Sequence, residues 1–208
     1  MIDKICEFLT NRIRKEMPEI DDDRAAVINY GLQNIIGELP KTFLLFIIAF
    51  FLGMLKEVLF MFITLLPYRG ASGGFHLKTH IGCIIGTTLF FCGTVFLAKI
   101  IVIESTLKYI ITVVAWGLGM IMIKLYAPAD TENVPILCTK DRRKKKIISY
   151  ITFSVGLLLS VFIKDNFISN ILLFENIVQT LTITKIAYRL TNNKYGYEVY
   201  NNTSTQTV

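Results

Sequence analysis

The sequence predicts an all-α, polytopic integral membrane helical bundle of about six membrane-embedded segments, some short or re-entrant, preceded by amphipathic helices. Three observations carry this reading. Hydrophobic residues make up 53% of the chain and mean hydropathy is +0.53, well above an ordinary soluble domain. Several apolar runs approach the roughly 20 residues that cross about 30 Å of hydrocarbon as a helix. Charge gathers in short blocks between those runs, above all in Lys140-Asp-Arg-Arg-Lys-Lys-Lys146.

The chain reads as one membrane domain with three parts. Residues 1–39 form N-terminal amphipathic or interfacial helices, 40–190 the membrane bundle, and 191–208 a polar tail. In the first helix Ile2, Ile5, Phe8, Leu9 and Ile13 share a stripe, with Lys4, Arg12, Arg14 and Lys15 nearby. Such a helix suits an anionic membrane surface or the protein's own cytoplasmic face equally well. Met17-Pro18 ends it, and Asp21, Asp22 and Asp23 cap a second helix running to Leu39-Pro40. The first residues, Met-Ile-Asp-Lys-Ile-Cys-Glu-Phe, lack the basic start and apolar core of a cleavable signal, and none is expected.

From Phe43 to Leu66 the chain is almost wholly apolar. Two short segments, about 43–55 and 58–66, turning at Lys56-Glu57, are preferred to one span. A re-entrant hairpin also fits, provided its backbone is buried in protein. Longer segments follow at about 81–103, 107–126, 147–163 and 167–190, with turns at Glu104-Ser-Thr and Lys164-Asp-Asn. The basic block at 140–146 belongs on the cytoplasmic side. Counting spans from it puts residues 76–83 and the C-terminus there too. Orientation alone therefore accounts for the net charge of +6, and no nucleic-acid partner is expected. The cysteines Cys6, Cys83, Cys92 and Cys138 staple no small secreted scaffold. Cys92 reads as a small buried hydrophobe, and Cys6 and Cys138 as reduced cytoplasmic thiols.

Chemistry concentrates in Arg69-Gly-Ala-Ser-Gly-Gly-Phe-His76-Leu-Lys-Thr-His80-Ile-Gly-Cys83. Pro67, Gly70, Gly73, Gly74 and Gly82 break the backbone, and Arg69, Ser72, His76, His80 and Cys83 fall in the break. Both histidines of the chain are here. Polar groups beside a membrane segment are expensive unless paired or used, so this stretch is the candidate site.

On an unbroken helix His76 and Cys83 would share a face about 10 Å apart. Base and nucleophile need about 3 Å. A dyad therefore requires His76 to fold back over Cys83, which a Gly73-Gly74 hinge allows. His80, three residues from Cys83, is the nearer neighbour on a helix. A cysteine at a helix start beside a histidine is activated, and exposed N–H groups there would stabilise an oxyanion. Two other readings stay open. His76, His80 and Cys83 have zinc-ligand spacing, with Cys138 or Cys6 as a fourth ligand. Alternatively the polar residues shape a helix break without chemistry, Arg69 and Lys78 reaching to the headgroups.

The pattern Arg-x-x-Ser-Gly-Gly-Phe-His, with Cys seven residues after that His, resembles the accessory gene regulator B (AgrB) family of Gram-positive bacteria. The similarity takes in the amphipathic N-terminus, the Ala-Pro-Ala-Asp…Pro segment at 127–135 and the basic block, hence most of the chain. The resemblance implies a multi-pass bacterial membrane endopeptidase that processes an AgrD-like precursor of a cyclic quorum-sensing peptide. It implies Cys83 as nucleophile and His76 as its partner, with Arg69 and Gly74 in a supporting motif; Ser72 and Gly73 beside them are expected to support the site too. His80 matches no family role. The chemistry implied is acyl transfer through a thioester on Cys83, leading to a thiolactone or lactone. The run Arg142, Arg143, Lys144, Lys145 and Lys146 is topogenic and is also expected to steer an acidic precursor tail. Expected partners are that precursor and the lipid bilayer; a homodimer is left open, and no cofactor is expected.

Overall fold

The structure, a computed structural model, describes residues 2–17, 19–77, 79–132, 135–136 and 138–199, and of Ile2, Asp3, Asp23, Ala26, Val27, Tyr30, Gln33, Asn34, Ile35 and His80 the backbone alone. The described residues form α1 (Ile2–Glu16), α2 (Asp22–Phe51), α3 (Leu55–Ser72), α4 (His80–Ile100), α5 (Ser105–Tyr126), α6 (Thr139–Phe162), α7 (Asn166–Thr182) and α8 (Lys185–Leu190). There is no strand among them; one isolated parallel bridge joins Gly73 and Ala129. The chain divides into two compact units, residues 1–48 and 49–208.

In the first unit α1 buries Cys6 and Thr10, whereas Ile5 and Phe8 of the expected stripe stay exposed. An exposed apolar pair beside basic residues is the form a surface-lying helix takes. Asp21 caps α2, its Oδ1 accepting from the Arg24 N–H at 2.8 Å. The helix does not stop at Leu39-Pro40, as expected, but continues through Pro40 to Phe51. Proline removes one N–H from the ladder, a cost of about 3 kcal/mol in a helix interior. The apolar run that follows offers its backbone no better partner than the helix itself, so the helix persists.

The next break corrects the expected turn at Lys56-Glu57. It falls at Leu52-Gly53-Met54, and Lys56 and Glu57 lie in the first turn of α3. Gly53 takes φ +69, its N–H donating to the Phe50 carbonyl while the Met54 N–H reaches Ala49. Those two bonds make a glycine-terminated helix end, so the residue that tolerates the left-handed backbone fixes the turn. α3 then runs through Pro67 and Gly70 to Ser72, later than the break expected at Pro67.

α7 is the central helix, packed against α3, α4, α5 and α6. Its buried residues include Ser169, Asn170, Glu175, Asn176, Gln179 and Thr180. Most of these are bonded from the surrounding helices and turns. Lys108 reaches Ser169 at 2.9 Å, Asn170 donates to the Ile101 carbonyl at 2.7 Å, and Thr64 donates to Glu175 at 3.1 Å. Burying such groups is tolerable only when they are bonded in this way. The expected span at 167–190 is interrupted, since α7 ends at Thr182 and Thr184 caps a separate α8, its Oγ1 accepting from the Ala187 N–H.

Among the described residues three helices are long and apolar enough to cross a membrane: Ile81–Ile100 within α4, α5 and α6. α3 and α7, of 18 and 17 residues, are not among them, so six spans are not reproduced. The outward faces of the three carry Leu89, Val113, Leu125, Ile151 and Phe162, each largely exposed. Apolar surface of this extent is what lipid, not water, accommodates. The basic block at 140–146 is not a loop but forms the first turns of α6. Cys92 is buried, as expected, and all four cysteines are free.

Candidate active site

The segment between α3 and α4 is a short extended hinge, and its backbone is held almost atom by atom. Gly73 ends α3 with φ +72 and Gly74 follows with φ +137. Ala129 donates to the Ser72 carbonyl at 2.8 Å, and Gly74 donates to the Ala129 carbonyl at 2.9 Å. This close approach requires glycine: a Cβ on Gly73 would lie 2.3 Å from the Ala129 oxygen, and one on Gly74 2.1 Å from Arg69 Nη1.

Side chains then grip three carbonyls of the hinge. Gln179 Nε2 donates to Gly73 at 2.8 Å, Arg69 Nη2 to Phe75 at 3.0 Å, and Asn193 Nδ2 to His76 at 2.8 Å. Arg69 is itself held from α7, its Nη1 donating to Thr182 Oγ1 at 3.1 Å and Gln179 Oε1 at 3.3 Å. Ser72, fully buried, accepts from Gln179 Nε2 at 3.0 Å. Four of the expected residues, Arg69, Ser72, Gly73 and Gly74, thus belong to one network. Its output is the position of residue 76.

His76 is exposed at the end of this hinge, and Cys83 is half-buried in the first turn of α4. Thr79 caps that helix, its Oγ1 accepting from Gly82 N at 3.0 Å and its carbonyl accepting from Cys83 N at 2.9 Å. The expected oxyanion donors are therefore not the Gly82 and Cys83 N–H groups, which Thr79 engages. The side chain of His80, all of Lys78 and the tail from residue 200 lie outside the described residues. Among the described residues no three His, Cys, Asp or Glu side chains cluster as metal ligands.

The partner of the hinge, Ala127-Pro128-Ala129-Asp130, is fixed from behind. Tyr188 donates to the Ala129 carbonyl at 2.9 Å and stacks on Tyr195, ring centroids 4.1 Å apart. The Tyr195 hydroxyl donates to the Ile183 carbonyl at 2.8 Å. Burial pushes that phenol above its usual range, so it remains a neutral donor. Asp130 is buried; its Oδ2 accepts from the N–H groups of Ile136 and Tyr197, both at 2.9 Å, and is ion-paired with Arg142, whose Nη1 lies 3.1 Å away. Arg142 also lies 4.2 Å above the Tyr197 ring.

This arrangement divides the basic run. Arg142 is a structural partner of Asp130 and not a free cation for a substrate; removing one member of such a buried pair costs about 3–5 kcal/mol. Lys146 donates to the Lys124 carbonyl at 2.9 Å and Lys145 is half-buried. Arg143 and Lys144 remain exposed. Sequence reasoning missed Gln179, Thr182, Asp130, Tyr188 and Asn193. For Gln179 and Thr182 a signal existed, since polar residues recurring within an apolar segment are expensive there and mark a site.

These features define a helical membrane protein whose polar residues converge on one interhelical hinge. A family model, accessory gene regulator B, matches residues 6–183, and the chain belongs to that family. An AgrB-like protein of Clostridium acetobutylicum is 21% identical over 195 residues, 94% of this chain and 91% of the relative. An accessory gene regulator protein B of Staphylococcus aureus is 28% identical over 185 residues, covering 89% and 95%. An AgrB-like protein of Listeria monocytogenes is 24% identical over 191 residues, covering 90% and 91%. No solved structure matches at a significant level.

Proposed function

We propose that the protein is a membrane cysteine endopeptidase acting on an AgrD-like peptide precursor, with Cys83 as nucleophile and His76 as acid and base. The observation that carries this is the hinge. A network of buried and half-buried groups from α3, α7 and the strap at 127–130 fixes the backbone up to an exposed histidine. Seven residues later the cysteine sits in the opening turn of a helix. Rigid support beneath reactive side chains is what holds a nucleophile and base in productive geometry.

His76 takes the Cys83 thiol proton as sulfur attacks a precursor carbonyl. The tetrahedral intermediate collapses, the C–N bond breaks, and His76 returns the proton to the departing amine. The N-terminal part of the precursor remains as a thioester on Cys83 while the C-terminal tail leaves. An internal thiol or hydroxyl then displaces Cys83, closing a ring and regenerating the thiol. Exclusion of water protects the thioester from hydrolysis. The deciding experiment is incubation of the purified protein in nanodiscs with the precursor encoded beside it, followed by mass spectrometry. An adduct equal to the N-terminal fragment on the Cys83 peptide is expected; free tail with no adduct would point away from acyl transfer through this residue.

The same reading places the hinge and the basic start of α6 on the cytoplasmic face, where a newly made precursor is found. Lys and Arg near the ends of spans favour that side, and five of the seven residues Lys140–Lys146 other than Asp141 and Arg142 add positive charge without the Asp130 pairing. A single cysteine at position 143 should resist an impermeant thiol reagent applied to intact cells. Rapid labelling there would reverse the orientation.

A further inference from the structure

Resting on the dyad reading, we propose that Gln179 is a positioning residue whose carboxamide sets the hinge that presents His76 to Cys83. Gln179 lies in α7, remote in sequence from the motif, and is 1% exposed. Its Nε2 is 2.8 Å from the Gly73 carbonyl and 3.0 Å from Ser72 Oγ, and its Oε1 is 3.3 Å from Arg69 Nη1. The two ends of the amide cannot be exchanged. Arg69 is only a donor and the Gly73 carbonyl only an acceptor, so chemistry assigns oxygen to the first and nitrogen to the second.

An apolar side chain of similar size would fill the space without the desolvation penalty that an amide carries. What the carboxamide adds is a fixed link between the last turn of α3 and the first residue of the hinge. From there the link runs two ways to residue 76. The peptide chain passes from Gly73 through Gly74, whose N–H is tied to Ala129. In parallel, Arg69 carries the constraint to the Phe75 carbonyl, part of the peptide group that joins Phe75 to His76. Loss of the amide releases the Gly73 carbonyl and removes one of the bonds that hold Arg69 from α7, beside the one to Thr182, so both routes loosen. A displacement of about 1 Å at a reacting group is enough to cost on the order of 10²-fold in rate.

The test reads Cys83 directly with iodoacetamide, in full-length protein carrying Ser at positions 6, 92 and 138. Carboxamidomethylation of Cys83 is timed by mass spectrometry in Gln179→Leu, Gln179→Glu, His76→Ala and Thr180→Val. The Glu variant keeps the shape and the acceptor for Arg69 but loses the donor to Gly73. Thr180, one residue on, is equally inside the bundle and bonds the Tyr68 hydroxyl at 2.7 Å. It therefore reports what loss of a buried hydrogen bond does by itself.

His76→Ala should slow alkylation roughly tenfold, the scale by which a paired histidine raises thiolate reactivity. Both Gln179 variants should fall within about threefold of His76→Ala. Thr180→Val should lower Tm yet stay within about twofold of the parent rate. Parent-like rates in both Gln179 variants, with His76→Ala slow, would overturn the assignment. An equal slowing in Thr180→Val would overturn it as well, by showing general loosening. A parent-like rate in His76→Ala would remove the dyad, and this inference with it. Should the Leu variant fail to insert, the Glu variant decides by itself.

Discussion

Alanine at Cys83 or at His76 should abolish precursor cleavage while leaving insertion into the membrane intact. His76 is exposed, and Cys83 is half-buried in a helix turn whose bonds are made by backbone and by Thr79, so neither substitution opens a cavity in the core. Loss of the nucleophile or base of a covalent mechanism lowers the rate by roughly 10³-fold or more. The pair should behave as a unit, so Cys83→Ala with His76→Ala together should be no slower than either alone. Cleavage is followed by release of the C-terminal tail, and insertion by yield and Tm in nanodiscs. Tail release by Cys83→Ala protein would dismiss the cysteine mechanism. For His80→Ala a partial loss is expected; complete loss there with normal activity in His76→Ala would transfer the role of base to His80.

Gly73→Ala should be nearly as severe for cleavage, for a geometric reason. Its φ of +72 lies in the left-handed region, where a Cβ costs roughly 1–2 kcal/mol. The Cβ would also sit 2.3 Å from the Ala129 oxygen, so the strap at 127–130 must move away. Gly53→Ala provides the comparison. Gly53 has an equivalent φ of +69 and nothing within 4 Å of its would-be Cβ. Both substitutions should lower Tm through the backbone, but only Gly73→Ala should lose cleavage, by about 10²-fold. Equal activity in the two variants would separate the hinge from the reaction.

Much of this was legible in the sequence because it rests on local chemistry. The helical class follows from apolar runs of membrane length, and the turn expected at Lys164-Asp-Asn is where α7 begins, Asp165 Oδ1 accepting from the Phe167 and Ile168 N–H groups. Arg69, Ser72, Gly73 and Gly74 stood out because glycines and polar residues interrupt an apolar pattern. Local rules failed where a neighbour decided the outcome. Pro40 and Pro67 do not end their helices, because an apolar environment keeps the ladder closed. Arg142 looked like one of five equivalent cations, and only the fold shows that, among the described residues of the run, it is the one paired with the buried Asp130. Asn193, in a polar stretch, gives no sign of its bond to the His76 carbonyl 117 residues earlier.

The placement of α7 bears on biogenesis. A helix carrying Asn170, Glu175, Asn176 and Gln179 would partition poorly from the translocon into lipid by itself, since each such group is costly there. It is synthesised after α3, α4, α5 and α6, four of the helices it packs against, and before α8. Domains and their parts assemble as they emerge, N-terminal portions first. The ribosome therefore delivers the receiving groove before the helix that fills it. Thr64, Tyr68, Arg69 and Lys108, which bond the polar face of α7 in the finished fold, have all been synthesised before that face leaves the exit channel. Order of synthesis thereby makes the partners of this polar segment available before the segment itself.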